Sequence, residues 1–196
     1  HNYRAHKSIC AIYSNAFYDR ELTTQDLISR QREHGLECFS KSVVWLDTGK
    51  MPNKEDTQKG TGKINRCNAG LIERYTRQIL HELKAKNLGY SIGIITPYKD
   101  QKQLLDSKLS AVKKEFKDFY KKLAEGMDKD NNNIKDYALD IGTVDSFQGS
   151  DRDIIIYDCV RCSKSKNNNN NVKGKKGGQK IDFIADEKRL NVSLSR

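Results

Sequence analysis

The chain has 196 residues and a formal net charge of +10, with 36% hydrophobic and 32% charged residues. That length suits one ordinary domain with a sizeable core, and no apolar run approaches the roughly 20 residues of a membrane-spanning helix, so a membrane partner is not expected. Cys10, Cys38, Cys67, Cys159 and Cys162 are odd in number and scattered, which fits reduced thiols in nucleus or cytoplasm and argues against a disulfide framework.

The basic balance suggests a polyanionic partner, but six lysines fall in residues 163–180, where no acid offsets them. Motifs must therefore carry the case for nucleic acid. The chain opens on His1 with neither Met nor leader pattern, and reads as an excised fragment of a longer protein.

In chain order, residues 43–47 (VVWLD) show a short buried-strand pattern, with Trp45 expected in the core. Residues 65–87 then show helical spacing through Leu71, Ile72, Tyr75, Ile79, Leu80 and Leu83. Residues 92–96 (IGIIT) predict a second buried strand. It is ended by Pro97, with Thr96 expected as N-cap and Pro97 as first residue of the next helix. Leu105, Leu109, Val112, Phe116, Phe119 and Leu123 recur at spacings of four and three, predicting a long amphipathic helix to near Gly126.

Residues 139–144 and 154–160 are two further β-rich runs, and a last helical pattern begins at Asp186. The order βαβαββα predicts an α/β fold, a mostly parallel sheet flanked by helices, with ligands at the carboxyl ends of the strands. Thr96, Asp145 and Arg161 stand at such ends. The Asn/Lys/Gly tract 163–180 cannot bury enough apolar surface to offset its ordering entropy, and predicts a disordered insertion. Cys159 and Cys162 lack a second ligand pair, and the acidic run from Asp128 has Asn133 where a calcium loop needs glycine. No metal site is assigned to either.

Three segments carry chemistry. Thr143-Val-Asp-Ser-Phe-Gln-Gly-Ser-Asp-Arg-Asp153 leaves one β-run and enters the next. Its hydroxyls, and backbone amides at the Gln-Gly turn, suit phosphate oxygens. Arg189-Leu-Asn-Val-Ser-Leu-Ser-Arg196 closes the chain, and His1-Asn-Tyr-Arg-Ala-His6 opens it. Thr96-Pro-Tyr-Lys-Asp-Gln101 lies between them at a strand end, where a helix N-terminus also attracts anions.

Together these resemble superfamily 1 (class B) helicases of the up-frameshift/senataxin-like family, in their C-terminal RecA-like domain. The first string resembles motif V, the second motif VI, and Tyr3-Arg4 a Q-Y-R-M-H-P stretch in which Asn2, Ala5 and Lys7 depart from the usual residues. The resemblance implies a RecA-like P-loop NTPase fold over 1–196. Arg196 would be the arginine finger, Arg4 a second γ-phosphate contact and Gln148 a coupling residue, the three forming the catalytic set. It also implies Tyr3 at the adenine, Gly149 at the nucleotide, Asp151 at the ribose, and Thr96, Pro97, Tyr98, Thr143 and Ser146 at the nucleic-acid backbone. At 151 Asp replaces the usual Glu, and Asn68 stands for a Glu three residues after Asn65. Phe183, Asp186 and Arg189 match the approach to motif VI in the senataxin-like branch.

Nowhere does the chain contain Gly-x-x-x-x-Gly-Lys-(Ser/Thr) or a strand ending in adjacent acids able to hold Mg²⁺. The resemblance implies that an upstream RecA-like domain supplies those parts, with ATP and Mg²⁺ in a cleft shared between the two domains and single-stranded RNA or DNA as the other partner. The competing expectation is a catalytically retired RecA-like module that binds RNA or serves as a scaffold.

Overall fold

The computed structural model describes residues 1–3, 5–125, 139–147, 151–162 and 191. Helices α1 (Lys7–Phe17) and α2 (Asp26–Gln31) come first, then an antiparallel hairpin of β1 (Thr57–Lys59) and β2 (Gly62–Ile64). Helix α3 (Arg66–Lys86), β3 (Ile92–Thr96), α4 (Lys99–Glu125), β4 (Leu139–Thr143), a 3-10 turn at Asp145–Phe147 and β5 (Ile154–Tyr157) follow.

Helix α3 starts because the Asn65 side chain accepts the Asn68 N–H, which would otherwise lack an intrahelical partner. It stops at Asn87, in the left-handed conformation (φ 51°) that asparagine tolerates, with Lys84 and Lys86 near the carbonyl end. Ala69, Ile72, Thr76, Ile79, Leu80 and Leu83 recur at helical spacing and form its buried face.

Strands β4, β3 and β5 make a parallel sheet in that order, with Ile94 opposite both Ile141 and Ile156. Every residue of β3 is buried, as expected of a central parallel strand. Leu105, Leu109, Val112 and Phe116 of α4 pack with α3 and with Ile92, Ile94, Leu139 and Ile141 into one core, on one face of the sheet. The expected α/β fold, with parallel strands flanked by helices, is the one observed.

The expected first strand is not. Residues 43–47 form no strand, and Trp45 is 80% exposed rather than buried in the core. A β-prone run becomes a strand only where a neighbour offers a ladder, and no described strand pairs with this one. The chain here runs between Leu36, Cys38 and Phe39, which pack on the core, and the β1–β2 hairpin, which the sequence reading missed along with α1 and α2. The observed order of described elements is thus ααββαβαββ rather than βαβαββα. The insertion 163–180 and the last helical pattern lie outside the described residues, except Asn191.

Thr96 and Pro97 do not begin α4. Thr96 is the last residue of β3, and the first helical hydrogen bond runs from Lys102 N–H to the Tyr98 carbonyl. A fully buried strand end carries Thr96 into the core, two residues before the backbone can turn into the helix.

Glu82 secures residues 37 and 38 to α3. Its carboxylate accepts the N–H groups of Glu37 (2.5 Å) and Cys38 (3.0 Å) and pairs with Lys86 at 2.9 Å. The Cys38 thiol, which donates to it, and these N–H groups hold the Glu82 carboxyl down at about 2, while burial and the same carboxylate push the thiol up to about 11. A carboxyl depressed in the folded state stabilises it above the unfolded value of 4.5 and loses that contribution as pH falls toward 2. The denaturation midpoint should therefore drop more steeply between pH 4.5 and 2 in the wild type than in Glu82→Gln; parallel curves would refute the assignment.

Candidate functional site

The parallel register sets Thr96 beside Thr143, so the strand ends of β3 and β4 share one edge. Ser146 joins them by donating its hydroxyl to the Thr143 carbonyl at 2.8 Å. Thr143 is half-buried, while Asp145 and Ser146 are exposed. Thr96 and Pro97 are buried, the Thr96 hydroxyl has no hydrogen-bond partner, and only Tyr98 of that trio reaches solvent. The surface offered at this edge is therefore Tyr98, Thr143 and Ser146.

Two glycines shape the turn that follows β4. A Cβ on Gly142 would stand 2.5 Å from the Phe147 ring and from the Ser146 hydroxyl, and one on Gly93 would stand 2.9 Å from the same ring. Phe147 thus lies flat on the sheet face opposite α3 and α4, packed with Ile95 and Val144. Arg152 closes over it, its guanidinium 6.0 Å from the ring centroid, while pairing with Asp140 at 2.8 Å and donating to the Asp151 carbonyl. Farther along, Asp153 accepts both the N–H and the hydroxyl of Ser91, fastening the return of the loop to the start of β3. Both ends of the loop that holds Gln148 and Gly149 are thereby fixed, although those two residues lie outside the described set.

A buried polar knot lies under the same edge. Asp158, just past β5, accepts from Asn68 (2.8 Å) and the Val160 N–H (2.9 Å) on one oxygen, and from Gln101 (2.6 Å) on the other. Gln101 in turn accepts the Asn65 N–H at 2.8 Å and donates to the Asn65 carbonyl, while the Asn65 amide donates to the Val160 carbonyl at 2.9 Å. Burial pushes the Asp158 carboxyl up, and the three donors oppose that. Val160, between these ties, has φ +62°, a left-handed conformation that a β-branched residue resists at a cost of order 1–3 kcal/mol.

Sequence reading missed Asp158. A charged residue inside the apolar run IIIYDCV was the available signal, because an acid there must find buried donors.

At the other end of the chain, Tyr3 is 61% exposed, its ring edge-on to His1 at 6.4 Å. It belongs to an N-terminal unit in which Asn2 pairs with Thr23 and Thr24, and Lys7 with Asp26. The Asn191 side chain donates to the Tyr18 hydroxyl, just past α1, at 2.9 Å. Asp151 is exposed beside Arg152. The structure thus brings Thr96, Thr143 and Ser146 together and leaves Tyr3 exposed beside His1; Arg4, Gln148, Gly149 and Arg196 lie outside the described residues. Among the described residues, no group of three His, Cys, Asp or Glu could hold a metal ion.

Comparison with known proteins matches the whole chain, residues 1–196, to a family described as an AAA domain. Putative regulator of nonsense transcripts 1 of Takifugu rubripes is 30% identical, over 99% of this chain and 15% of that protein. ATP-dependent helicase upf1 of Schizosaccharomyces pombe is 29% identical, over 99% of this chain and 18% of its own length. Helicase sen1 of the same yeast is 28% identical, over 99% and 10%. The chain spans less than a fifth of each of these three relatives. With a parallel α/β sheet, the motif strings at its strand ends and a family match from end to end, the chain belongs to the AAA domain family of superfamily 1 helicases of the up-frameshift/senataxin-like kind.

Proposed function

We propose that residues 1–196 are the C-terminal RecA-like motor domain of an ATP-dependent RNA/DNA helicase, nuclear or cytoplasmic, acting in RNA processing, transcription termination or RNA decay. The observation that carries this reading is the alignment of Thr96 with Thr143 and Ser146 on one carboxyl edge of a parallel sheet, where α/β folds gather their ligands. A single nucleic-acid strand runs along that edge, touching Tyr98 and the hydroxyls of Thr143 and Ser146, while the buried Thr96 and Pro97 shape the turn beneath it. Backbone contacts of this kind position a strand without reading its sequence.

The nucleotide lies between this domain and an upstream RecA-like domain of the same protein. Tyr3 offers an exposed ring to the adenine and Asp151 an exposed carboxylate to the ribose. Arg4 and Arg196 approach the γ-phosphate, a reading supported by the motif strings in which they stand. Gln148 and Gly149 link the strand-end surface to the nucleotide through the loop fixed by Phe147 and Arg152. Mg²⁺ supplies charge neutralisation at the phosphates, and its ligands and the phosphate-binding loop are assigned to the upstream domain, since no such motif stands in this chain.

The test is ATP turnover with single-stranded RNA. The full-length protein should hydrolyse ATP in a strand-stimulated manner and the isolated 196-residue piece should not. Mg²⁺-dependent turnover by the piece alone would overturn the shared-site reading, and no strand-stimulated turnover by the whole protein would overturn the motor reading.

A further inference from the structure

We propose that a cleft between α3, α4 and the start of β4 docks a segment of a partner protein, one that inserts a single phenylalanine or leucine side chain flanked by carboxylates. Leu80, Phe116, Tyr120 and Leu139 form its floor and walls, and Lys113 and Lys117 form its lip.

The cavity measures about 160 Å³. An apolar cavity of roughly 150 Å³ admits a benzene ring, so the space suits one aromatic or branched aliphatic side chain. Its floor is preformed. Leu80, Phe116 and Leu139 are each at most 5% exposed and belong to the core, and His81 braces the Phe116 ring edge-on at 5.0 Å. A site that needs little ordering on binding keeps more of its contact energy.

The lining selects among occupants. The Tyr120 hydroxyl already donates to the Tyr90 carbonyl at 3.2 Å, and Leu80, Phe116 and Leu139 offer only hydrocarbon. A nucleobase would give up water at its polar edge here without gaining partners, whereas a phenyl or leucyl group has no polar atom to satisfy. The lip then sets the charge of the flanking residues. Lys113 and Lys117 are exposed one helical turn apart, and no carboxylate among the described residues lines the cleft. Glu115 turns to Arg77 and His81, while Asp106, 3.4 Å from Lys113, is held closer by Lys102 at 2.6 Å. Like charges four residues apart weaken a helix by themselves, and carboxylates beside the inserted side chain would relieve that repulsion. The lysine stems cover apolar surface while their ammonium groups reach solvent, where such carboxylates would meet them. Leu139 begins β4 and Thr143 ends it, so the cleft lies toward the amino edge of the sheet and a partner seated there leaves the carboxyl edge open.

The experiment is a fluorescence-anisotropy titration of the full-length protein with a labelled acidic peptide, Glu-Asp-Glu-Phe-Asp-Glu-Glu. Saturable binding is expected, weakened about thirtyfold when alanine replaces the phenylalanine of the peptide, as for a buried anchor. Lys113→Glu combined with Lys117→Glu, both at exposed positions, should weaken it about tenfold at low salt and less at high salt. No saturable binding up to about 1 mM, or equal affinity for the alanine peptide, overturns the docking site. An unchanged affinity in the double variant overturns the charge match. Displacement of the peptide by oligouridylate makes the cleft a nucleic-acid surface, which also overturns the proposal. Binding that emerges only when a Gly/Ser linker replaces residues 126–138, which join α4 to β4, gives the cleft to this chain's own segment, and binding that falls as the protein self-associates gives it to a second copy. Either result rules out the partner.

Discussion

Replacing Arg196 by alanine in the full-length protein is expected to lower kcat about 10³-fold or more while leaving nucleotide affinity close to that of the wild type. The charge that a guanidinium neutralises on the γ-phosphoryl oxygens grows between ground state and transition state, so losing it weighs on turnover far more than on binding. Arginine suits this role because it stays charged at any working pH and presents a rigid fork, and so Arg196→Lys should recover only a small part of the rate. The measurement is kcat at saturating single-stranded RNA, beside a nucleotide dissociation constant from a binding assay. An unchanged kcat would remove Arg196 from the mechanism, and equal losses in affinity and rate would make it a ground-state contact.

The second large effect is expected from Phe147→Ala. The ring is buried on the face of the sheet where Gly93 and Gly142 leave room for it, against Ile95 and Val144, with the Arg152 guanidinium over it. Truncating a buried Phe costs about 3–5 kcal/mol, the lost transfer energy plus the cavity left behind. For a domain near 200 residues that corresponds to a fall in Tm of roughly 10 °C. The loss also releases the turn that carries Ser146, so nucleic-acid affinity should decline at temperatures where the variant is still folded. Thermal denaturation and RNA binding below the transition check the two parts separately. A stability loss under about 1 kcal/mol would show that the ring does not fasten the turn.

How much of this was legible in the sequence differs from element to element. The spacing of Ile72, Ile79, Leu80 and Leu83 placed α3 to within a residue at each end, because an amphipathic helix is decided by local periodicity. The run IGIIT placed β3 within its five residues, since a central strand covered on both sides reads as a continuous apolar block. By the same logic VVWLD should have been a strand, and it is not, because a strand is completed by a partner that lies elsewhere in the chain. Thr96-Pro97 looked like a helix start for a related reason: the local pattern is right, but the sheet holds Thr96 in the core and delays the helix to Lys99.

By itself, the sequence determined the fold class, the family and the identity of the motif residues, all of which depend on residue type and order along the chain. Only the tertiary structure decided that Thr143 and Ser146 share an edge with a buried Thr96, that Phe147 rests on two glycines of neighbouring strands, and that one buried carboxylate at 158 gathers donors from residues 68, 101 and 160. Those facts depend on strand register and on hydrogen bonds between residues as many as 90 positions apart. A buried acid must find its donors wherever the fold brings them, and no local pattern records which ones will arrive.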